Sequence, residues 1–345
     1  MTTSKVWSSN CWDPLEEIIL GSAQGLTLPP VDESLQHFFE PPADADSEVV
    51  SPDDMKRVVE ETEEDFAALA EILTSAGVTV RRPDPLTPNT HYSSPDWASV
   101  ATHALMPRDC LLVVGDKIIE APMSMRARYF ETWPLRNLLR EYFDSGAVWL
   151  SAPKPQLPNE TYVYEPGKSV VADLEPLFDA ANILRCGKDL FFNVSNTGNP
   201  RGAEWLRRVL GDEYRVHEMS LCTDHVGTTI HILRPGLILA NSERLDRDKL
   251  PEQLQNWDII WVDPPEDDSF AFSWPRASIW VGMNIIALSP ERIVVPSNQE
   301  QLARQLEKHG IEPIMATFRH GRTFGGGFHC CSLDVRRRGE IGEYL

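Results

Sequence analysis

Apolar and polar positions follow one recurring order along this chain: a stretch with apolar residues at helical spacing, a turn, then a short run rich in Val, Ile, Trp or Tyr. The clearest copy opens at Ser51-Pro52-Asp53-Asp54, a capping residue followed by proline at the first helical position and acid in the first turn. Met55, Val58, Val59, Phe66, Leu69, Ile72 and Leu73 then fall at helical spacing, and Gly77 closes the helix before Val78-Thr79-Val80. Arg136 to Asp144 repeats the pattern with Gly146 and Val148-Trp149-Leu150, and Ala203 to Leu210 with Gly211 and Tyr214-Arg215-Val216. A fourth helix is expected over Leu250 to Trp257 ahead of Ile259 to Val262, and a fifth over Gln299 to His309 ahead of Ile311 to Met315.

Between these helices the pattern predicts hairpins, each made of two apolar runs about a turn. They cover Cys110 to Ile119 about Gly115-Asp116, Ile183 to Val194 about Gly187-Lys188, Ile230 to Leu239 about Arg234-Pro235-Gly236, and Ile285 to Val295 about Ser289-Pro290-Glu291. Five helices and four hairpins leave one hairpin missing. Pairing of the last strand, Cys331 to Val335, with the first, Leu15 to Leu20, supplies it and closes the chain into a ring. The expected architecture is therefore α/β, a five-bladed pseudo-symmetric propeller formed by residues 1 to 345 as a single domain, with a cleft at its centre. A doubly wound sheet is the competing architecture, but no Gly-x-Gly-x-x-Gly or phosphate loop supports it. The Pro-rich, acidic stretch from 29 to 50 reads as a surface loop or lid, and Pro153 to Pro166 has the same character.

Composition narrows the partners. The 345 residues are 42% hydrophobic and 24% charged, enough to bury a large core. Thirty-two basic against 52 acidic residues give a net charge of −20, which repels phosphate backbones and argues against nucleic acid; it would attract a small cation or serve only to keep the protein dispersed. No stretch approaches the roughly 18 apolar residues of a membrane span, and the polar start predicts a cytoplasmic protein. The six cysteines show neither a disulfide framework nor Cys-x-x-Cys spacing, so reduced thiols and no bound metal are expected.

Candidate chemistry gathers where predicted strands begin. Gly325-Gly326-Gly327-Phe328-His329-Cys330 puts a thiol behind three glycines that could let backbone approach a bound molecule, or merely form a hinge beside an inert cysteine. Asp109 follows Met106-Pro107-Arg108, Asp179 lies in Phe178-Asp179-Ala180-Ala181, and His225 lies in Asp224-His225-Val226-Gly227. Taken singly, each has a structural explanation as a cap or a hydrogen-bonded core residue. Together, a thiolate, an imidazole and carboxylates make a nucleophile, a proton carrier and a holder for a cation.

With Trp12-Asp13-Pro14-Leu15-Glu16-Glu17, Val80-Arg81-Arg82-Pro83-Asp84-Pro85 and Ile119-Glu120-Ala121-Pro122-Met123, these segments resemble, in order and from about Trp12 to Arg338, the arginine amidinotransferases. The resemblance implies the pentein-like, five-bladed fold of guanidine-modifying enzymes, and transfer of an amidino group from a small-molecule guanidine donor, arginine, to an amine acceptor with release of ornithine. It implies Cys330 as the nucleophile, His225 as general acid and base, and Asp179 as the carboxylate that orients the histidine. It further implies Asp109 as the grip on the guanidinium, Arg244 as the partner of the donor's carboxylate and Ser278 as a contact to its amino-acid end. No cofactor is implied, bacterial secondary metabolism is the expected setting, and a homodimer is usual. Alternation of faces along a strand lets only one of the adjacent cysteines face the cleft, and the family pattern selects Cys330 over Cys331. Two positions depart from the pattern: Gly227, where a second guanidinium-binding aspartate is usual, and Ala277, where one of two serines is usual. A guanidine hydrolase of deiminase or dihydrolase type, and a non-catalytic guanidine-binding homologue, are the competing readings.

Overall fold

The computed structural model describes residues 5–39, 50–163, 171–266, 270–272 and 274–345. Among these residues five three-stranded sheets share one plan, an antiparallel pair whose middle strand also pairs in parallel with a third strand. In the first blade Leu15–Leu20 is the middle strand, antiparallel to Ser332–Arg337 and parallel to Thr79–Arg81. The chain's ends therefore meet as the missing hairpin required. The other blades are Leu111–Val114, Lys117–Glu120 and Val148–Ser151; Ile183–Cys186, Asp189–Asn193 and Arg215–Met219; Ile230–Arg234, Leu237–Asn241 and Asp258–Val262; and Ile286–Ser289, Arg292–Pro296 and Glu312–Ala316. Strands of neighbouring blades touch around the ring: Leu111–Val114 meets the strand at Ser332, Ile183–Cys186 meets Ile230–Arg234, and Ile286–Ser289 meets Leu15–Leu20. A separate two-stranded ribbon joins His91–Ser93 to Ala98–Val100.

Local chemistry explains the connecting helices. Pro52–Ser75 starts where Ser51 Oγ accepts the Asp54 amide proton, carries Pro52 where no amide is needed, and stops before Gly77 at φ +88°. Val58, Phe66, Leu69 and Leu73 are fully buried while Met55, Val59 and Ile72 pack at the margin, so the helix shows one apolar stripe to its blade. Asn199 caps Pro200–Leu210 in the same way, accepting from Gly202.

The fourth helix does not form. Residues Arg247–Lys249 and Glu252–Leu254 are separate 3-10 turns, with Leu250 extended between them at φ −66°, ψ 150°. Proline disfavours the helical region for the residue before it, and Pro251 holds Leu250 out. Leu250, Leu254 and Trp257 are nonetheless buried, so the apolar spacing served packing without a helix. The final strand also begins one residue later than the pattern suggests, at Ser332, leaving both Cys330 and Cys331 in the preceding turn. Within 29 to 50, residues Glu33–Phe39 are helical, while 40–49, like 164–170 of the second Pro-rich stretch, lie outside the described residues.

Candidate active site

Each blade contributes one predicted residue from the segment that precedes its outer, antiparallel strand. Asp109 comes two residues before Leu111–Val114, Asp179 four before Ile183–Cys186, His225 five before Ile230–Arg234, Ser278 eight before Ile286–Ser289, and Cys330 two before Ser332–Arg337. The repeat therefore delivers five side chains to one end of the ring axis.

His225 stands at the centre of the group. Its Nε2 lies 3.0 Å from Asp179 Oδ2, its Nδ1 lies 3.6 Å from Asp109 Oδ1, and it also interacts with Cys330. Burial alone would make the imidazole less basic, but Asp109 and Asp179, together with Cys330, outweigh it and hold the ring well above its ordinary value. Asp179 is fully buried, and its Oδ1 accepts weakly from the Ser124 amide and hydroxyl at 3.3 and 3.4 Å. Asp109 is 1% exposed; its Oδ2 accepts from Arg128 Nη1 at 3.0 Å, while its buried Oδ1 has no hydrogen-bond partner among the described residues.

Arg128 and Glu131 are functional candidates that the sequence pattern did not reveal. Arg128 is bidentate to Glu131 through Nε and Nη2, and its Nη1 also approaches Asp179 at 3.9 Å. One cation thus ties three carboxylates in place. Asn284 was missed as well: its Oδ1 accepts the Cys330 amide at 2.9 Å and its Nδ2 donates to the Gly227 carbonyl at 3.1 Å, linking the thiol's turn to the histidine's. Neither carries a motif; Ser124 to Glu131 merely follow the Ile119 to Met123 segment, and Asn284 sits among apolar residues.

The three glycines are not a loose hinge. Gly325 adopts φ +89° at the end of Gly321–Phe324, where a side chain would be strained. A Cβ on Gly326 would come within 2.9 Å of Cys330 Cβ, and one on Gly327 within 2.6 Å of Asn284 Cβ. Protein packing, more than a ligand, requires these two. Both cysteines are buried in the same apolar cluster, but only Cys330 lines a cavity, and burial drives the Cys331 thiol pKa well up. Strand alternation is therefore not what separates the two cysteines, since neither lies on the strand.

Two cavities meet at His225, Arg276 and Gly325. The one on the Cys330 side encloses about 280 Å³ and includes Asp224, Thr228, Ser278 and Arg322. Arg244 stands behind its wall, donating to Thr228 Oγ1 at 3.1 Å and to Ser278 Oγ at 3.4 Å, with Asp224 Oδ2 3.6 Å away. The other encloses about 370 Å³ and is lined by Asp109, Arg128, His103, Thr27 and Thr102 as well as by apolar side chains such as Leu28, Val31 and Phe324. Gly227 opens onto neither cavity: a Cβ there would meet Asn284 Nδ2 at 2.8 Å and His329 Nδ1 at 3.4 Å. Among the described residues, no three His, Cys, Asp or Glu side chains are grouped to hold a metal ion, and no helix is long and apolar enough to cross a membrane.

No protein-family model matches the chain. It is 44% identical over 339 residues to inosamine-phosphate amidinotransferase 1 of Streptomyces glaucescens, covering 97% of both chains. It is 39% identical over 363 residues to the L-arginine:L-lysine amidinotransferase of Pseudomonas savastanoi pv. phaseolicola, covering 99% of this chain and 97% of that one. The solved inosamine-phosphate amidinotransferase of Streptomyces griseus superposes with a TM-score of 0.93 at 42% identity, over 99% of each chain. A five-bladed ring that repeats one pre-strand position five times, matched end to end at this identity, places the chain in the amidinotransferase family, enzymes that transfer amidino groups.

Proposed function

We propose that this amidinotransferase takes its amidino group from L-arginine, releases L-ornithine, and passes the group to a primary amine through an intermediate on Cys330. The observation that carries the reading is Asp109 Oδ1, a buried carboxylate oxygen without a hydrogen-bond partner, beside His225 where the two cavities meet. A buried acceptor left unpaired costs about 1–3 kcal/mol. A guanidinium N–H is the donor that would complete it, in a charge-assisted bond that fixes the group's plane.

The chemistry then follows from the neighbours. Cys330 as thiolate attacks the guanidinium carbon and a C–S bond forms. The carbon–nitrogen bond to ornithine breaks as His225, held charged by Asp109 and Asp179, gives that nitrogen its proton. His225, now neutral, takes a proton from the incoming amine as its nitrogen attacks the same carbon; the C–S bond breaks and the thiolate returns. Asp179 fixes the ring that carries out both transfers. Ser278, on the smaller cavity, and Arg244, bonded to it from behind, suit the donor's amino-acid end and carboxylate. Bacterial secondary metabolism is the setting that its Streptomyces relatives support.

Intact-mass measurement after exposure to arginine tests this. The expected result is a gain of one amidino group on the wild type, none on Cys330→Ala, and loss of the adduct on adding an amine with formation of the matching guanidine. Discharge by water alone would make the protein a hydrolase, and an unmodified protein with arginine would overturn the donor assignment.

A further inference from the structure

We infer that the cavity of about 370 Å³ is the acceptor's own site and that it selects a primary amine carried on an uncharged, apolar body; this rests on the transfer reading above. The cavity's lining is mixed but mostly apolar. Asp109 and His225 stand at its inner end, where an amine must arrive to reach the amidino carbon, while Leu28, Val31, Leu35, Met125, Trp274 and Phe324 supply apolar walls. A small zwitterion would leave those walls wet, whereas a body of several carbons would remove them from water.

Among the described residues, the two guanidiniums on its wall already have protein partners. Arg128 is committed to Glu131 and Asp109. Arg276 lies over the Trp274 ring at 4.5 Å and the Phe272 ring at 5.4 Å, and donates to the Thr323 carbonyl. His103, on the same wall, has its pKa lowered to about 3 by burial and by Arg128, so it offers no charge. The donor's polar end has Ser278 and Arg244 on the opposite side of His225. Ornithine and the acceptor can therefore occupy different cavities, each reaching the same carbon.

The test uses wild-type enzyme charged with arginine and then mixed with n-butylamine, n-hexylamine, n-octylamine, glycine or phosphoethanolamine, following alkylguanidine or guanidino-acid formation. Discharge by the alkylamines should rise about fourfold in kcat/KM for each added methylene until the cavity is filled. Ornithine should inhibit noncompetitively against hexylamine, because two cavities are used. Leu28→Asn should slow hexylamine discharge by about tenfold, the scale of one lost apolar side-chain contact, and change adduct formation much less. Faster discharge by glycine or phosphoethanolamine than by hexylamine, competitive inhibition by ornithine, or an equal fall in both half-reactions of Leu28→Asn would overturn the assignment. If arginine leaves no adduct, the underlying transfer reading fails separately. Calorimetric binding of octylamine to the uncharged enzyme, weakened by Leu28→Asn, then reports the cavity alone, and absence of binding would overturn it.

Discussion

Two buried charge clusters lie in this ring, and they are built with opposite balance. Around Asp334, three guanidiniums converge: Arg108 Nη2 donates to Oδ1 at 2.6 Å, and Arg185 Nη2 and Arg337 Nε donate to Oδ2 at 2.5 and 2.9 Å, with Ser8 Oγ adding a fourth bond. Both oxygens of that carboxylate are used, and the arginines hold its pKa far below the usual range despite complete burial. Around Arg128 the ratio is reversed, since Glu131, Asp109 and Asp179 share one guanidinium, with His225 as second cation, and Asp109 keeps an oxygen unpaired. The first cluster satisfies itself. In the second, Asp109 Oδ1 accepts no hydrogen bond from a described residue, and it is there that the proposed reading sets the guanidinium. A carboxylate already full of protein guanidiniums ties strands together; one left incomplete has room for a guanidine ligand.

The largest effect is expected from breaking the satisfied cluster. Asp334→Asn removes the charge that faces three arginines, each no more than 7% exposed. Loss of one partner from a buried ion pair costs about 3–5 kcal/mol, so the denaturation midpoint should fall sharply or the protein should fail to fold. A midpoint near that of the wild type would mean that Arg108, Arg185 and Arg337 are held by their carbonyl partners alone.

Asp109→Asn probes the unsatisfied cluster and should act on function more than stability, because Arg128 keeps its bidentate bond to Glu131. Loss of a charge-assisted bond of about 1.5–3 kcal/mol predicts a drop in arginine affinity of about 10-fold to 150-fold. The variant also changes the pH profile. Asp109 is among the groups that raise His225, so its removal should move the alkaline fall in adduct formation to lower pH. His225's contribution to folding has the same sign: with its folded pKa raised, that contribution is fully present below about pH 6.5 and is lost as pH rises through the folded value. Unchanged arginine affinity together with an unshifted alkaline limb would remove Asp109 from the donor site.

The two clusters were not equally legible. Hydrophobic periodicity revealed the blades, because every strand pair buries apolar faces that alternate or run continuously, as in Leu111 to Val114. It misjudged Leu250 to Trp257, where one proline outweighed a helical spacing that was only a packing pattern. Asp109, Asp179, His225 and Cys330 could be found because each stands just before a strand, and the ring brings those positions together. Arg128 and Asn284 could not, since Asp109, Asp179, Cys330 and Gly227 lie 19 to 57 residues from them and no local spacing encodes such a contact, and Glu131, three residues from Arg128, carries no motif of its own. Asp334 was overlooked for the opposite reason, lying inside a strand where alternation alone gives no hint of three arginines.

Gly227 sharpens the comparison most finely. Its place two residues after His225 suggests a missing second clamp, and Gly227→Asp would then strengthen arginine binding by completing the cluster with another carboxylate. The direction of its Cβ argues otherwise. That atom would press on Asn284 Nδ2 at 2.8 Å, and the Oδ1 of the same amide accepts from the Cys330 backbone N–H. Even Gly227→Ala should therefore loosen the thiol's turn. Loss of one neutral hydrogen bond, about 0.5–1.5 kcal/mol, corresponds to roughly twofold to tenfold slower adduct formation at ~1.4 kcal/mol per decade, and the aspartate variant should be no tighter for arginine than the wild type. Rapid-quench measurement of adduct formation across arginine concentrations separates the rate from the affinity. Tighter arginine binding by Gly227→Asp, with Gly227→Ala unaffected, would mean that the carboxylate reaches the donor after all and that Asn284 yields at no cost.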